Sequence, residues 1–260
     1  MVNPLWTFDR KRIKDHPGII GVDEAGRGCL AGPVVAGAVL LPRSFFQKPG
    51  NRKACAEIND SKQIKESQRD ELFEKITGLE KKGELFWAVG DASVEEIESE
   101  NIVGATCLAM KKAMDKISSL SGGAWKPTLK SEGDLFAKEN DADQNSWIVS
   151  VDGRPMKRIP YRHEGMIKGD TFSLAIAMGS IMAKVTRDRL MRGLAKQFRD
   201  YDFSSNKGYG SPKHLAGLKE RGPCIHHRPR FLRKLLPIEG GNKTIKETAQ
   251  SQSSFACKNA

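Results

Sequence analysis

The segment Ile19-Ile20-Gly21-Val22-Asp23-Glu24-Ala25-Gly26-Arg27-Gly28 constrains this chain more than any other. Its apolar, partly β-branched start fits a short buried strand, and that strand ends on two adjacent carboxylates. Acids at the end of an apolar strand are costly unless their charge is compensated, and a divalent cation is the usual compensation. The turn that follows carries two glycines, which let backbone N–H groups approach a ligand closely. The arginine between them suits a phosphate. Metal-binding acids beside a phosphate-binding turn point to phosphodiester chemistry.

The chain has 260 residues, enough for one large domain or two small ones, and its 38% hydrophobic content can form a core under a strongly polar surface. A formal net charge of +11 favours a polyanionic partner, nucleic acid before anionic membrane, although a solvated basic surface would have the same composition. Five cysteines, an odd number without C-x-x-C spacing, argue against a disulfide framework or structural zinc and for a reducing cytoplasm. No apolar run approaches the ~18 residues of a membrane span, and residues 1–14 lack a signal-peptide core. A cytoplasmic protein without a membrane partner is the expectation.

Val34 to Leu41 reads as a second strand, antiparallel to the first because the gap is short, and Pro42 stops it. Residues 44–59 read as irregular. A helix is expected from about Ser67 to Ile76, with Ser67 and Asp70 at capping-box spacing, then a strand over Leu85–Gly90. Ser93 and Glu96 form another capping box. Beyond it Val103, Cys107, Met110, Met114 and Ile117 share one face of a long helix. Residues 121–146 read as a flexible insertion. Trp147–Val151 is a buried strand ending on Asp152-Gly153. Ser173 to about Phe198 is a helix, apolar nearly all round in its first half and charged, facing solvent, in its second. The reading is an α/β fold with a mixed sheet flanked by helices and a helical C-terminal region. It assigns 1–236 to one catalytic domain and 237–260 to a disordered tail.

Two strand ends thus carry acids, Asp23-Glu24 and Asp152. Asp170, just before the apolar helix, is a fourth candidate. Asp188 is a rival, but about 18 residues of helix, roughly 27 Å, would separate it from Asp170. It also sits between two arginines, as a surface ion pair would. Clustered carboxylates with no histidine or cysteine favour Mg²⁺ or Mn²⁺ over zinc. Two such ions can activate a water and stabilise the leaving oxygen of an in-line displacement at phosphorus. From pattern alone the same acids also fit ordinary turn and capping roles.

Further motifs make the pattern specific. Gly21 to Gly28 and Ala31-Gly32-Pro33-Val34-Val35-Ala36 are followed by Asn59-Asp60-Ser61-Lys62, Ala105-Thr106 with Leu108-Ala109-Met110, and Val151-Asp152-Gly153. Then come Lys168-Gly169-Asp170, the run from Ser180 to Arg189, and Lys207-Gly208-Tyr209-Gly210. In this order, over residues 18–235, they resemble the ribonuclease HII family, the type 2 ribonucleases H. The resemblance implies a ribonuclease H-like fold. It also implies cleavage of RNA paired to DNA and incision of duplex DNA 5′ to single embedded ribonucleotides, leaving 5′-phosphate and 3′-hydroxyl ends. It places the metal ligands on Asp23, Glu24, Asp152 and Asp170. It makes Gly26-Arg27-Gly28 the element that senses the ribose 2′-OH, the group that separates RNA from DNA at a given site. Tyr209 matches the family tyrosine that packs on the sugar beyond the junction. A monomer is the family's expectation.

Lys62, Lys184 and Lys207 are candidate phosphate contacts or solvated lysines, and Lys184 alternatively an ion-pair partner for a site carboxylate. The basic segment from His226 to Lys234 is expected to contact the nucleic-acid backbone. Two departures from the family stand out: Met178-Gly179 where two small alanines usually precede the serine, and Arg230 where a serine is usual in His-Arg-x-Ser-Phe. A DNA nuclease or type 3 ribonuclease H on the same fold is the competing enzymatic reading. A basic binding module with a decayed site is the non-enzymatic one, and the presence of all four acids argues against it.

Overall fold

The computed structural model of the protein describes residues 2–59, 64–130, 146–233 and 235. The chain forms two compact units. One comprises the residues up to Ala25, Val35–Asp91 and Thr106–Thr186; the other comprises Gly26–Val34, Ala92–Ala105 and the residues from Arg187 on.

The first unit opens on helix α1 (Pro4–Arg12), which the sequence reading missed; Asn3 caps it, its side chain accepting from the Leu5 amide. Strand β1 (Gly18–Ala25) is buried along almost its whole length, as its isoleucines and valine predict. Strand β2 (Val34–Pro42) pairs antiparallel to it, with Asp23 opposite Gly37. Residues 43–59 are more ordered than expected: a single helical turn over Arg43–Gln47 leads into helix α2 (Pro49–Ala54). Helix α3 (Glu66–Lys81) starts one residue before the expected cap, on Lys65 with no side-chain cap, so Ser67 lies inside it.

Strand β3 (Phe86–Ala92) follows, then helix α4 (Val94–Leu120). The Ser93–Glu96 capping box is present in both directions. Helix α4 breaks at Asn101, whose φ of 58° is left-handed and whose side chain accepts from the amides of Val103 and Gly104. Val103, in the first turn after the break, is exposed, while Cys107, Met110, Met114 and Ile117 are buried.

Strand β4 (Ile148–Asp152) runs parallel to β1, with Val22 beside Val151, and the short strand β5 (Glu164–Met166) runs parallel to β4. The sheet order is β3-β2-β1-β4-β5. Within the stretch read as a flexible insertion, residues 121–130 are anchored. Trp125 is buried, the Lys130 amide donates to Pro160, and the Arg162 amide donates to Thr128. Residues 131–145 lie outside the described residues, as does the expected tail at 237–260.

Helix α5 (Leu174–Ala195) starts in the first unit and lies directly on the sheet. The approach is close enough that a Cβ at Gly21 would sit 2.1 Å from the Ala175 carbonyl carbon, and one at Gly37 would sit 2.3 Å from the Gly179 oxygen. Gly179 is itself part of the contact: a Cβ there would lie 2.9 Å from the Gly37 oxygen. The glycine that departs from the family pattern therefore sits within the close helix–sheet contact. Asp9 of α1 supplies the cap of α5, accepting from Ser173 Oγ at 3.0 Å and from the Ala175 amide at 2.9 Å.

In the second unit α5 ends and is followed by helices α6 (Phe203–Asn206), α7 (Pro212–Arg221) and α8 (Pro229–Leu232). Its core is Leu30, Ala31, Met191, Tyr201, Phe203, Leu218, Cys224 and Leu232. The second half of α5 does not simply face solvent: Arg187, Asp188 and Met191 are buried.

Burial raises the pKa of Asp9 to about 7, against the partial relief of the Ala175 amide and the Ser173 hydroxyl. The folded state therefore holds a proton that the unfolded chain releases above its ordinary value of 3.8. The stabilising contribution is complete below pH 3.8 and is lost as pH rises through 7. Asp9→Asn keeps an acceptor for both donors and removes the titration. Urea unfolding from pH 4 to 7 is expected to show the variant gaining on the parent as pH rises; a pH-independent difference would contradict this.

Candidate active site

Strand alternation and register decide which acids meet. Gly21 and Asp23 share one face of β1, the face on which α5 packs. Because β4 is parallel to β1 and Val22 lies beside Val151, Asp152 falls next to Asp23 on the same face. Asp170 arrives from a separate tight turn. Lys168 is left-handed at φ 58°, Gly169–Thr171 make one helical turn, and Ser173 leads into α5. That turn is tied to β4 by the Gly169 amide, which donates to Asp152 Oδ1 at 2.7 Å.

The result is a cluster of Asp23, Asp152 and Asp170 whose carboxylate oxygens lie within 4.8 Å of one another. Asp23 and Asp170 are buried, at 3% and 2% exposure, and Asp152 is half-buried at the mouth. Glu24, the fourth expected ligand, is outside this three-way cluster, although its charge is felt by Asp23 and its amide donates to Asp23 Oδ1 at 2.7 Å.

Three carboxylates this close repel one another. Burial is the largest cause holding the Asp23 pKa well above the usual carboxylate range, followed by the charges of Glu24 and Asp152; hydrogen bonds from Ser180 and the Glu24 amide oppose the rise. The donor set is all oxygen, with no histidine or cysteine in the cluster. That suits a hard divalent cation, which would replace the proton as compensating charge. Ser180, buried on α5, stood in the sequence only as part of a motif. A lone hydroxyl within an apolar helix was the available signal for its contact with Asp23.

The turn that follows β1 belongs to the second unit, and there it is held from behind. Gly26 has φ 95°, and a Cβ on it would lie 2.0 Å from Arg187 Nε, so only glycine fits. Gly28 is different: nothing lies within 4 Å of where its Cβ would be, so its bare backbone faces open space. Arg27 is exposed.

Two buried arginines hold the loop. Arg187 donates to the carbonyls of Pro33, Lys207 and Ala31 at 2.8–2.9 Å. Arg228 donates to Gly32 at 2.8 Å and to Arg27 at 3.0 Å. Neither was expected to work this way. The segment from His226 was read as contacting a nucleic-acid backbone, yet His227 and Arg228 are buried, and Arg230 pairs with Glu98 at 3.2 Å.

Tyr209 meets the same loop. The Gly208 carbonyl accepts from the amides of Leu30 and Ala31, and the Tyr209 phenol hydrogen-bonds the Cys29 thiol. The Tyr209 ring is nonetheless 46% exposed. Burial of the phenol, then the neighbouring Cys29, raises its pKa. The structure thus brings the Gly26–Gly28 turn and Tyr209 together.

The lysines separate. Lys207 is buried with its ammonium on the Ser204 carbonyl at 2.6 Å. Lys184 is half-buried on α5, one helical turn beyond Ser180, and Lys62 lies outside the described residues.

A mixed sheet with flanking helices and three clustered acids, two of them near the ends of adjacent strands, fits a ribonuclease H-like fold with a divalent-metal site. The ribonuclease H2 from Pyrococcus horikoshii OT3 shares this fold with a TM-score of 0.56 at 20% identity, covering 91% of this chain and 99% of that one. The family model for ribonuclease HII matches residues 20–234. The ribonuclease HII of Fusobacterium nucleatum is 40% identical over 241 residues, 92% of this chain and 95% of that protein. That of Burkholderia mallei (strain SAVP1) is 40% identical over 219 residues, 84% and 85% of the two chains. The chain belongs to the ribonuclease HII family, and so to the endonucleolytic hydrolases that act on RNA–DNA hybrids. Among the described residues no helix is long and apolar enough to cross a membrane.

Because Asp23 must give up its proton to bind metal, affinity is expected to fall as pH drops through its raised pKa. Ser180→Ala removes a hydrogen bond that favours the carboxylate, so it should move this midpoint to higher pH. It should also weaken Mg²⁺ binding at neutral pH by about ten- to a hundredfold. Calorimetric titration across pH measures both, and an unshifted midpoint would rule out this role for Ser180.

Proposed function

We propose that this chain cleaves the RNA strand of RNA–DNA hybrids and incises duplex DNA on the 5′ side of a single embedded ribonucleotide, leaving 5′-phosphate and 3′-hydroxyl ends. The convergence of Asp23 and Asp152, near the ends of adjacent strands, with Asp170 from the turn before α5 carries the reading. Asp23, Asp152 and Asp170, with Glu24 from the same strand, are assigned as ligands for two Mg²⁺ or Mn²⁺ ions. When bound, such ions activate a water for in-line attack at phosphorus and neutralise charge on the leaving 3′ oxygen.

The protein's own groups divide the remaining work. Ser180 and the Glu24 amide favour the ionised form of the Asp23 carboxylate against the effect of its burial, and the Gly169 amide orients Asp152. Lys184 is assigned to the phosphate side of the site. Lys207 is not, because its ammonium is already engaged on Ser204. The open backbone at Gly28 and the exposed Arg27 suit close approach to a ribose 2′-OH and its phosphate, and the Tyr209 ring suits packing on the next sugar. The proposal takes residues 1–236 as one catalytic domain that acts as a monomer.

Cleavage of a duplex carrying one ribonucleotide, compared in Mg²⁺ and Mn²⁺, tests the assignment. Incision at the 5′ side of the ribonucleotide is expected. Hybrid cleavage without incision there would instead favour a type 3 specificity. Asp23→Asn should lower cleavage by at least about a hundredfold while hybrid binding persists, since loss of a direct ligand should exceed the usual cost of losing its supporting contacts. Excess EDTA should stop the reaction, and activity that survives either change would overturn the proposal.

A further inference from the structure

His214 of α7 and His227, just before α8, are both buried, at 0% and 3% exposure, and their Nε2 atoms are 2.9 Å apart. Two ring nitrogens at that distance bond only if one carries a hydrogen and the other does not. Their outer nitrogens settle which. His214 Nδ1 lies 2.8 Å from the Tyr209 carbonyl oxygen, which can only accept, so Nδ1 carries the hydrogen and Nε2 is bare. His227 Nδ1 lies 2.9 Å from the Cys224 amide, which can only donate, so Nδ1 is bare and Nε2 carries the hydrogen. The two assignments agree. The Cys224 amide donates to His227, His227 donates to His214, and His214 donates to the carbonyl of Tyr209.

Aromatic rings hold both imidazoles. Tyr201 lies 4.7 Å from His227, and Phe203 lies 5.2 Å from His214, between ring centroids. Burial pushes both histidine pKa values down, that of His227 to about 3, so both rings are neutral at neutral pH. Two imidazoles in an apolar box are expensive unless every polar atom is satisfied, and a fully satisfied network allows one geometry. Here every ring nitrogen has its partner. The chain of bonds ends on the peptide of the one residue in this loop whose aromatic ring is held out beside the Gly26–Gly28 turn. The Tyr209 amide is fixed as well, donating to Asn206 at 2.9 Å.

We infer that His214 and His227 are positioning residues for Tyr209, setting its carbonyl and so the placement of its ring at the RNA–DNA junction. The inference rests on the reading of Tyr209 given under Proposed function. It concerns selectivity, the ratio of incision at a single ribonucleotide to cleavage of a uniform hybrid.

Two substitutions at one position separate positioning from simple packing. In His214→Asn the amide nitrogen can replace Nδ1 and keep the bond to Tyr209, while the bond to His227 is lost. In His214→Gln the amide oxygen can replace Nε2 and keep the bond to His227, while the bond to Tyr209 is lost. A packing role predicts at least as much damage from His214→Asn, because it strands the buried His227 N–H; the Tyr209 carbonyl still accepts from the Ser211 amide in either variant. Positioning predicts the opposite order. His214→Gln should lower the selectivity ratio about tenfold or more, with His214→Asn staying within about threefold, as expected for displacing a group that positions substrate.

Tyr209→Ala is the reference. If it leaves the ratio unchanged, the reading of Tyr209 fails and the inference falls with it. If it lowers the ratio while the two His214 variants behave alike, the inference alone is overturned. Long-range ¹H–¹⁵N correlation on the unsubstituted protein provides a readout independent of activity. It should show hydrogen on Nδ1 of His214 and on Nε2 of His227, and any other tautomer pair would overturn the relay.

Discussion

Helix α5 rests on the sheet at backbone distance, and the site depends on that contact. Gly21, Gly37 and Gly179 leave no room for side chains between the helix and strands β1 and β2. The closeness puts a hydroxyl of the helix, Ser180, within hydrogen-bonding reach of Asp23, and it sets the start of the helix where the Asp170 turn can join the strand ends. A layer of alanines on the strands would push α5 outward and separate these groups. Overpacking of this kind typically costs about 1–3 kcal/mol in stability, and here it would also disturb the spacing of the cluster.

The same arrangement makes Asp23 an uncomfortable carboxylate. It is buried, faces two other negative charges, and has two hydrogen bonds set against them. Burial and the neighbouring charges shift Asp23 toward its protonated form, and a bound cation would oppose that shift. The protein therefore carries its instability at the position where binding relieves it, while the surrounding strands and helix are ordinary well-packed structure.

What could be read from the sequence followed from apolar runs and the residues that bound them. The strand leading to Asp23, the strand ending on Asp152, and the apolar helix after Asp170 are such runs, and all are present. Glu24 stays out of the three-way cluster, although its charge reaches Asp23. The missed features depend on partners distant in the chain. Helix α1 is short and polar, and its significance lies in Asp9 meeting a helix more than 160 residues later. Arg187 and Arg228 look like surface charges, because charged residues are seldom fully buried. Their burial is possible only because loop 27–33 offers a set of inward-facing carbonyls, which no local pattern records. The histidines of the C-terminal segment misled for the same reason: their partners are each other and two backbone groups.

The cradle formed by Arg228 has a consequence for the order in which the protein is made. Its bond to Arg27 spans 201 residues, so the turn directly after the first strand waits for one of the last described residues. A nascent chain has all three clustered acids in hand once Asp170 has been added, and the serine that supports them soon after. Neither of the arginines that hold the loop, Arg187 and Arg228, has been added at that stage. Synthesis thus completes the acids of the cluster well before the groups that support the turn.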